Sequence, residues 1–356
     1  MHVPKTMHAW THDRMGLPAA VLLYKEIPTP QLANKSSVVV RVTHAALNPV
    51  GTLFVQLTPT LFRKTPCVPE LDFSGEIVEV GSGVPASRGL QPGTKVFGSI
   101  WVPTHVRYGL GALSEYISVH AESVVPVPKN VTLEEAGGMG ITGATAILLL
   151  EKANLRPGDS VLVNGASGGV GILTVQLAKA AVGPTGKVVG ICSGKNADFV
   201  KQYGVDEVVD YTKHSPVTDY LAKAYSAKPF DAVIDAIGKQ EIYDHAASYL
   251  APKKPVVTVG LGFKYTYPQM VTTIAKTVDN TARPCILGGV PRPYITINAL
   301  VNLKLLEKIS ALLQEGTMRP VVDQTFDFRD TLQAYEKIAS KRARGKVTVK
   351  VQEPSA

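Results

Sequence analysis

A glycine-rich turn between a strand and a helix constrains this chain more than any other feature. Residues 160–164 have the apolar pattern of a buried strand, residues 165–171 read Gly-Ala-Ser-Gly-Gly-Val-Gly, and a helical pattern follows from Ile172. Small residues let backbone amides approach a pyrophosphate, and the helix N-terminus adds partial positive charge. A plain tight turn is the alternative, but the flanking strand and helix favour a dinucleotide site, and no Gly-Lys-Ser/Thr closes a Walker loop. The loop residues predicted to bind the cofactor are Ser167, Gly168, Gly169 and Val170.

The region around this turn alternates strand and helix patterns, which favours βαβ units and a parallel sheet. Several of its candidate strands are nearly all apolar, as expected when helices cover both faces of a sheet. The candidate strands are residues 160–164, 187–192, 207–209, 230–236 and 255–260, and the candidate helices are 169–182, 197–203, 217–224 and 239–250. These patterns predict an α/β fold with a doubly wound, Rossmann-type parallel sheet over residues 128–287.

The flanking regions have a different character. Residues 1–127 are rich in strand patterns that end in glycine turns. Residues 288–356 contain two amphipathic helices and a final strand. A chain of 356 residues is long enough for two domains. We therefore expect the tail to return and complete a β-rich domain built from residues 1–127 and 288–356.

Composition excludes several classes of protein. Hydrophobic residues make up 45% and charged residues 19%, which excludes dominant disorder. The longest apolar candidate ends at Glu151, far short of a membrane span. The three cysteines are far apart, so a disulfide framework and a cysteine-based structural zinc site are not expected. No secretory signal or usual transit peptide precedes the first strand pattern, so we expect a cytoplasmic protein and find no support for mitochondrial import.

The net charge is +8 and is dispersed, apart from a basic run at residues 341–346. The run has three interpretations: a solvated helix end, a phosphate-facing cluster or a nucleic-acid surface. No aromatic residues are interleaved for base stacking, so no nucleic-acid partner is expected.

The residues after the second strand of the alternating region indicate which dinucleotide binds. An NAD site places Asp or Glu there to bond the ribose 2′-hydroxyl, whereas this chain has Ser193, Lys195 and Asn196. A hydroxyl, an ammonium and an amide suit a 2′-phosphate, and Tyr211 after the third strand would add a phenol donor. The alternative is that Ser193 and Asn196 cap the following helix, and both roles are compatible. We predict NADPH.

The order of these motifs resembles the medium-chain dehydrogenase/reductases. The segments that carry the resemblance are residues 45–49, 69–81, 165–171, 192–196, 208–211, 230–235, 315–320 and 342–346. Together they cover almost the whole chain and resemble the zinc-free quinone oxidoreductase branch, in particular its reticulon-4-interacting-protein-1-like and fungal enoyl-reductase-like members. The resemblance implies a GroES-like catalytic domain beside the Rossmann domain. It also implies NADPH-dependent reduction of quinones or conjugated carbonyls.

Zinc-dependent relatives provide ligands that this chain lacks. They have a Cys after the first strands, where this chain has the Asn48 neighbourhood, and a Gly-His-Glu, where it has Glu70, Leu71 and Asp72. Leu71 cannot ligate a metal, and no pair of histidines has convincing ligand spacing. His44 and His120 fit ordinary strand or surface positions, and no metal is expected.

The resemblance assigns further roles by position. Asn48 is expected to face the nicotinamide or the substrate, Thr142 to line the same groove, and Arg344 and Lys346 to reach the cofactor phosphates. Leu261 and Leu287 are expected in the groove as well, with core packing as their alternative. The alternative for Thr142 is a hydroxyl bonded within its own helix.

Two departures from the family pattern concern the chemistry. The family usually carries Asp three residues after the Asn, where this chain has Gly51, and its enoyl reductases often place a tyrosine about eleven residues after the Asn, where residues 57–62 contain none. No proton donor can therefore be assigned. The candidates are Tyr108, Tyr116, Tyr265, Tyr294 and bulk water. A quinone needs less protonation help, which favours quinones or small electrophilic enones.

Three functions remain open from the residues. The first is a metal-free NADPH-dependent reductase of small quinones or enones. The second is an enoyl reductase that serves a biosynthetic synthase in trans, and the third is a non-catalytic NADPH-binding protein. The resemblance suggests a homodimer formed by pairing edge strands of the Rossmann sheet, although some fungal relatives are monomeric.

Overall fold

The computed structural model describes residues 3–260 and 266–354, which form two compact units. The terminal unit comprises Met1–Ala144, Leu300–Gly316 and Pro320–Ala356. The central unit comprises Thr145–Ala299 and Thr317–Arg319. The sequence predicted the domain boundaries at 127–128 and 287–288. In the structure the corresponding boundaries lie later in the chain, at 144–145 and 299–300.

The described residues contain the following elements. The strands are β1 Thr6–Thr11, β2 Leu23–Pro28, β3 Ser37–Ala46, β4 Asp72–Val80, β5 Lys95–Ser99, β6 Tyr116–His120, β7 Val124–Pro126, β8 Ser160–Asn164, β9 Lys187–Cys192, β10 Glu207–Asp210, β11 Ala232–Asp235, β12 Val256–Thr258, β13 Tyr294–Thr296, β14 Val322–Asp327 and β15 Lys346–Lys350. The helices are α1 Pro18–Val21, α2 Pro49–Leu57, α3 Val102–Tyr108, α4 Leu133–Ala136, α5 Met139–Ala153, α6 Gly169–Val182, α7 Ala197–Lys201, α8 Val217–Tyr225, α9 Gln240–Asp244, α10 Tyr267–Ala282, α11 Leu303–Gln314 and α12 Thr331–Ala339.

The central unit is built on a six-stranded parallel sheet in the order β10-β9-β8-β11-β12-β13. The interior strand β8 is apolar and buried along almost its whole length, which agrees with helices on both faces. Strand order reverses between β8 and β11, so the carboxyl ends of these two strands form the switch point at which such sheets bind ligands. The doubly wound α/β sheet predicted from the sequence is confirmed.

Two elements of the central unit were not predicted. Strand β13 pairs in parallel with β12, with Tyr294 opposite Val256. It is three residues long, too short for an alternating pattern to be detected. The division predicted at 287–288 leaves this strand outside the sheet to which it belongs. Helix α10 was also missed, and the helix predicted over 239–250 ends at Asp244.

The terminal unit is built on a seven-stranded sheet in the order β14-β15-β3-β4-β5-β7, with β6 paired to β3. The long strand β3 is buried and pairs antiparallel with β4, β6 and β15. Strand β15 comes from the end of the chain, so the tail returns to the sheet that the first residues begin. The GroES-like β-rich part of the fold prediction is confirmed.

The strand β3 also positions the residues that follow it. Its last residues are fully buried in the main apolar core of the unit, against side chains of β4 and β15 such as Phe73 and Val347. The chain then turns through Leu47 and Asn48 into α2. Asn48 is therefore held at the end of a rigid, well-packed strand. In the part of the chain that the structure describes, no helix combines the length and apolar character needed to cross a membrane.

Candidate active site

The glycine-rich loop of the central unit folds tightly at the carboxyl end of β8. The backbone amides of Gly165 and Ala166 both donate to the carbonyl oxygen of Ile191, each at 3.1 Å, and that of Gly168 donates to the carbonyl oxygen of Gly165 at 3.0 Å. A Cβ at Gly171 would lie 2.0 Å from the same Gly165 oxygen, so only glycine fits there. The loop therefore brings the first turn of α6 directly against the strand that precedes it.

The N-terminus of α6 is open. Its N-cap is Gly168, which has no side chain to accept hydrogen bonds from the first amides of this 14-residue helix. A Cβ at Gly168 would meet only the Gly165 oxygen, at 3.5 Å. Unsatisfied amides, the helix dipole and this free space fit a pyrophosphate. Ser167, Gly168, Gly169 and Val170 are all partly exposed around this end of the helix.

A hydrogen bond joins this loop to the segment after β9. The side-chain amide of Asn196 donates to the hydroxyl oxygen of Ser167 at 3.0 Å, and its backbone amide donates to the carbonyl of Ser193 at 2.8 Å. Ser193 and Asn196 are buried, whereas Lys195 is exposed. The structure thus brings the residues predicted for the pyrophosphate and for the ribose phosphate together.

The capping alternative for Ser193 and Asn196 is wrong. Neither side chain accepts a capping hydrogen bond from the helical turn that it precedes. The Oδ1 atom of Asn196 is buried and has no hydrogen-bond partner among the described residues. An orphaned acceptor beside an open helix end fits a ribose hydroxyl of a bound dinucleotide.

The next strand adds two side chains at the same edge of the sheet. Tyr211 is half exposed, and its backbone amide donates to the carbonyl of Cys192 at 3.2 Å. Asp210, to which no role was assigned, accepts hydrogen bonds from Thr212 and from the backbone amide of Gly194. These bonds, those from Thr212 foremost, lower the pKa of the Asp210 carboxyl. The Asp210 carboxylate therefore shapes the turn after β9.

In the terminal unit, Asn48 is held through three of its groups. Its side-chain Nδ2 donates to Oδ2 of Asp72 at 3.0 Å, and its Oδ1 accepts from Nζ of Lys346 at 2.8 Å. Its backbone amide donates to Oε2 of Glu70 at 3.0 Å. Asn48 is only 3% exposed, so these contacts fix one orientation of its amide.

Lys346 lies at Asn48. Its ammonium group also donates to the carbonyl of Leu47 at 2.9 Å and lies 4.0 Å from Oδ2 of Asp72. Burial lowers the pKa of Lys346, and the carboxyl groups of Asp72 and Glu70 oppose that shift. The prediction assigned Lys346 and Arg344 to cofactor phosphates. In the structure Lys346 is buried with its hydrogen bonds directed to this cluster, whereas Arg344 is exposed.

Glu70 and Tyr335 complete the group, which we call the Asn48 cluster (Asn48, Glu70, Asp72, Tyr335 and Lys346). The hydroxyl of Tyr335 donates to Oε1 of Glu70 at 2.8 Å. Burial raises the pKa of Glu70 to about 8, against the opposing hydrogen bonds from Tyr335 and Asn48. Burial also raises the pKa of Asp72, whose carboxylate accepts from the backbone amide of Ile141. The cluster is a buried polar network with two carboxyl groups and one ammonium.

Glu70, Asp72 and Tyr335 were not predicted as site residues. Asp72 is the first residue of the buried strand β4 and Glu70 precedes it by two residues, and acidic residues at the start of an apolar strand can be found in a sequence. Tyr335 gave no such signal, because it is 265 residues away from Glu70 in the chain.

Other predicted site residues have different surroundings. The hydroxyl of Thr142 in α5 donates to the carbonyl of Gly138, the residue immediately before that helix. Leu287 is 65% exposed, so the core-packing alternative for it is wrong. Leu261 lies outside the described residues.

The candidate proton donors are dispersed. Tyr108 is exposed, Tyr116 is buried in the terminal unit, and Tyr294 is buried in the central unit against Tyr243, with ring centroids 4.6 Å apart. Tyr265 lies outside the described residues. None of the described candidates belongs to the Asn48 cluster.

The described residues contain no group of three or more His, Cys, Asp or Glu placed to hold a metal ion. Leu71 is fully buried in the apolar core of the terminal unit. His44 is a buried strand residue whose ring contacts Thr43, and His120 is exposed.

Comparison with known proteins gives matches over nearly the whole chain. Residues 34–129 match the model of the alcohol dehydrogenase GroES-like domain, and residues 203–349 match the model of the zinc-binding dehydrogenase family. A medium chain reductase of Acremonium sp., pydE, is 34% identical over 97% of this chain and 99% of its own. A trans-enoyl reductase of Penicillium oxalicum, poxH, is 34% identical over 99% of this chain and 100% of its own. The structure of a quinone oxidoreductase from Coxiella burnetii superposes with a TM-score of 0.78 at 25% identity, covering 98% of this chain and 100% of that one.

The fold, the dinucleotide loop and these matches define a class of protein: the nicotinamide-dinucleotide-dependent oxidoreductases. The chain belongs to the medium-chain dehydrogenase/reductase family, and its relatives include enoyl reductases and quinone oxidoreductases. The family resemblance read from the motifs is confirmed.

Proposed function

We propose that this protein is an NADPH-dependent, zinc-independent reductase that delivers hydride to a quinone or an α,β-unsaturated carbonyl. One observation carries the proposal. The N-terminus of α6 has no side-chain cap, and the hydrogen bond from Asn196 to Ser167 joins it to the segment after β9, which contains no carboxylate. The names of the relatives, among them an enoyl reductase and a quinone oxidoreductase, support the reaction class.

The preference for NADPH is supported by the groups around the end of β9. The hydroxyl of Ser193, the ammonium of Lys195 and the phenol of Tyr211 are all donors that suit a phosphate dianion. Lys195 and Tyr211 are exposed and so accessible to a ligand. Asp210 lies nearby, but its carboxylate is engaged with Thr212 and Gly194.

The cofactor and the protein have different roles in this reaction. When bound, the nicotinamide cofactor supplies the hydride, and the protein supplies binding, orientation and electrostatics. We assign Asn48 to orient the nicotinamide or the substrate. Its Nδ2 donates to Asp72 and to the carbonyl of Ala46, and its Oδ1 accepts from Lys346, so the amide is fixed while Oδ1 keeps a second lone pair. We also assign Thr142, Leu261, Leu287 and Arg344 to the cofactor groove on the basis of the family resemblance.

Zinc independence is supported by the residues themselves. A Leu occupies the place of the zinc-binding His of the metal-dependent relatives, and it is buried in an apolar core. The side chain at Asn48 is likewise committed to Asp72 and Lys346.

An enoyl reductase that acts in trans is the second candidate, and the 34% identity to a trans-enoyl reductase favours it. Its substrate would be a carrier-bound enoyl thioester. The missing tyrosine in residues 57–62 favours the first candidate, because reduction of a quinone needs less protonation by the protein.

The test is NADPH oxidation by chelator-treated protein with quinones, small enones and enoyl thioesters assayed in parallel. We expect turnover that survives the chelator and is greatest with quinones or small enones. Turnover confined to thioesters would replace the first candidate with the second. NADPH binding without oxidation by any acceptor would favour a non-catalytic role.

We further propose a homodimer in a reducing compartment such as the cytoplasm. Strand β13 lies at the edge of the parallel sheet, and helix α10 of the same unit presents Val271, Ile274 and Val278 to solvent. All three cysteines are unpaired, which supports the compartment.

A further inference from the structure

Gly51 and Glu70 compete for one space in the terminal unit. Gly51 is buried in the first turn of α2. A Cβ on it would lie 2.2 Å from Oε2, 2.3 Å from Oε1 and 2.4 Å from Cδ of Glu70. A side chain at position 51 and the carboxyl group of Glu70 therefore exclude each other.

The backbone of Glu70 is itself unusual. Its φ is 66°, in the left-handed region that L side chains rarely adopt. Its carboxyl group is fully buried, which is unfavourable unless hydrogen bonds compensate. A strained backbone and a buried carboxyl at one position indicate that the group is retained for what it contacts.

Those contacts come from two separate elements. Oε2 accepts from the backbone amide of Asn48 at the start of α2, and Oε1 accepts from the hydroxyl of Tyr335 in α12. Glu70 therefore fixes the residue that the proposed reaction places at the nicotinamide, and it does so from the space that a side chain at Gly51 would fill.

We propose that Glu70 is a positioning residue for Asn48, and that its carboxyl group replaces the one that the family usually carries at position 51. The proposal rests on the proposed function only for the role of Asn48. The exchange of the carboxyl group between positions 70 and 51 is a statement about this fold and can be tested separately.

The charges in the cluster explain why Glu70 should respond to pH. The groups that face it are Tyr335 from α12, Lys346 from β15, Asp72 from β4 and the amide of Asn48. The Lys346 ammonium neutralises one of the two carboxylates in the Asn48 cluster. The buried cluster is therefore neutral only if the other carboxyl group carries a proton. Consistent with that requirement, burial raises the pKa of Glu70 to about 8. Loss of this proton changes the hydrogen bonds that hold Asn48.

The first experiment compares Glu70→Gln with Glu79→Gln, an exposed position near the end of β4 and outside the Asn48 cluster. Difference infrared spectroscopy of the carboxyl groups, without substrate, should show a titration near pH 8 in the wild type and in Glu79→Gln that is absent in Glu70→Gln. The pH profile of kcat/KM should lose an inflection in the same range only in Glu70→Gln. Identical titrations in all three proteins would overturn the role of Glu70.

The second experiment exchanges the two positions. Gly51→Asp alone should clash with the Glu70 carboxyl, and Glu70→Gly alone should leave Asn48 and Tyr335 without their acceptor. The double variant Gly51→Asp/Glu70→Gly should recover both the fold and kcat. A coupling of about tenfold in kcat between the two positions is expected for residues in contact. Additive losses in the double variant would refute the exchange.

Folding is followed in parallel by circular dichroism and thermal unfolding. If Gly51→Asp does not fold, recovery of the folded state in the double variant still supports the exchange, and its failure to recover counts against it. If the wild type reduces none of the acceptors, the proposed function fails, while the infrared titration and the recovery of stability continue to test Glu70.

Discussion

Asn48 is held by side chains from two strands, because Asp72 begins β4 and Lys346 begins β15. Each contact alone is an ordinary hydrogen bond, but in a buried network the loss of one partner leaves another polar group unsatisfied. The orientation of Asn48 is therefore a property of the whole Asn48 cluster, and changes at any of its members should affect it.

At the residue scale, the assignment of NADPH depends on the end of β9. Ser193→Asp would place a carboxylate against the 2′-phosphate, and we expect NADPH affinity to fall by about tenfold, equivalent to about 1.4 kcal/mol. NADH carries no such phosphate, so the difference in affinity between NADPH and NADH should become smaller. Fluorescence titration with each cofactor measures both affinities, with Ser193→Ala as the uncharged control. Equal losses for both cofactors would show that Ser193 is not at the phosphate.

Glu70 also makes stability depend on pH. Its pKa is raised from 4.5 to about 8, so between these values the folded state holds a proton that the unfolded state has lost. The free energy of unfolding should therefore decrease as pH rises from 4.5 to 8, by at most about 1.4 kcal/mol per pH unit from this group. Above the folded pKa the contribution is constant.

Urea unfolding at several pH values measures this dependence. The difference in unfolding free energy between the wild type and Glu70→Gln should change with pH across the same interval. Parallel curves for the two proteins would mean that Glu70 does not titrate in that range.

At the scale of elements, two glycines of the β8–loop–α6 unit have different surroundings. Gly171 lies against the backbone of Gly165, whereas Gly168 has free space and an extended backbone that valine can adopt. A side chain at Gly168 would therefore occupy the place of a pyrophosphate without disturbing the fold.

We expect Gly168→Val to have the same thermal stability as the wild type but to lose binding of both NADPH and NADH. Gly171→Val should instead destabilise the central unit, by about 3 kcal/mol or more, because a buried backbone contact must open. Thermal unfolding and cofactor titration on the two variants distinguish these effects. Normal cofactor binding by Gly168→Val would place the dinucleotide elsewhere.

At the scale of the whole molecule, the exposed apolar face of α10 is the surface at which we expect two copies of the chain to associate. Val271, Ile274 and Val278 recur at helical spacing and are 59–66% exposed. If a second copy covers this face, Ile274→Glu should dissociate the dimer, because a buried charge without a partner is costly.

Light scattering coupled to size-exclusion chromatography measures the mass of the wild type and the variant. The matched control is Thr272→Glu, exposed on the same helix and about 100° around its axis from Val271. A monomeric wild type, or equal masses for all three proteins, would contradict the proposed dimer.

Local patterns determined a large part of this structure. The strand–loop–helix unit at residues 160–182 follows from a run of apolar residues, small residues at the turn and a helical period, all within one short segment. The same holds for β9, whose predicted and observed bounds agree. The family resemblance added the GroES-like domain from motifs at both ends of the chain.

The contacts between distant segments, in contrast, became known only from the folded structure. The sequence indicated Asn48 as a site residue and Gly51 as a departure, but it did not show that Glu70 fills the space beside Gly51 or that Tyr335 bonds to Glu70. Likewise, β13 is defined by its pairing with β12 and not by its own three residues. Periodicity and turn chemistry act over a few residues, whereas the energy of a buried charge or a short strand depends on neighbours that only the folded chain brings together.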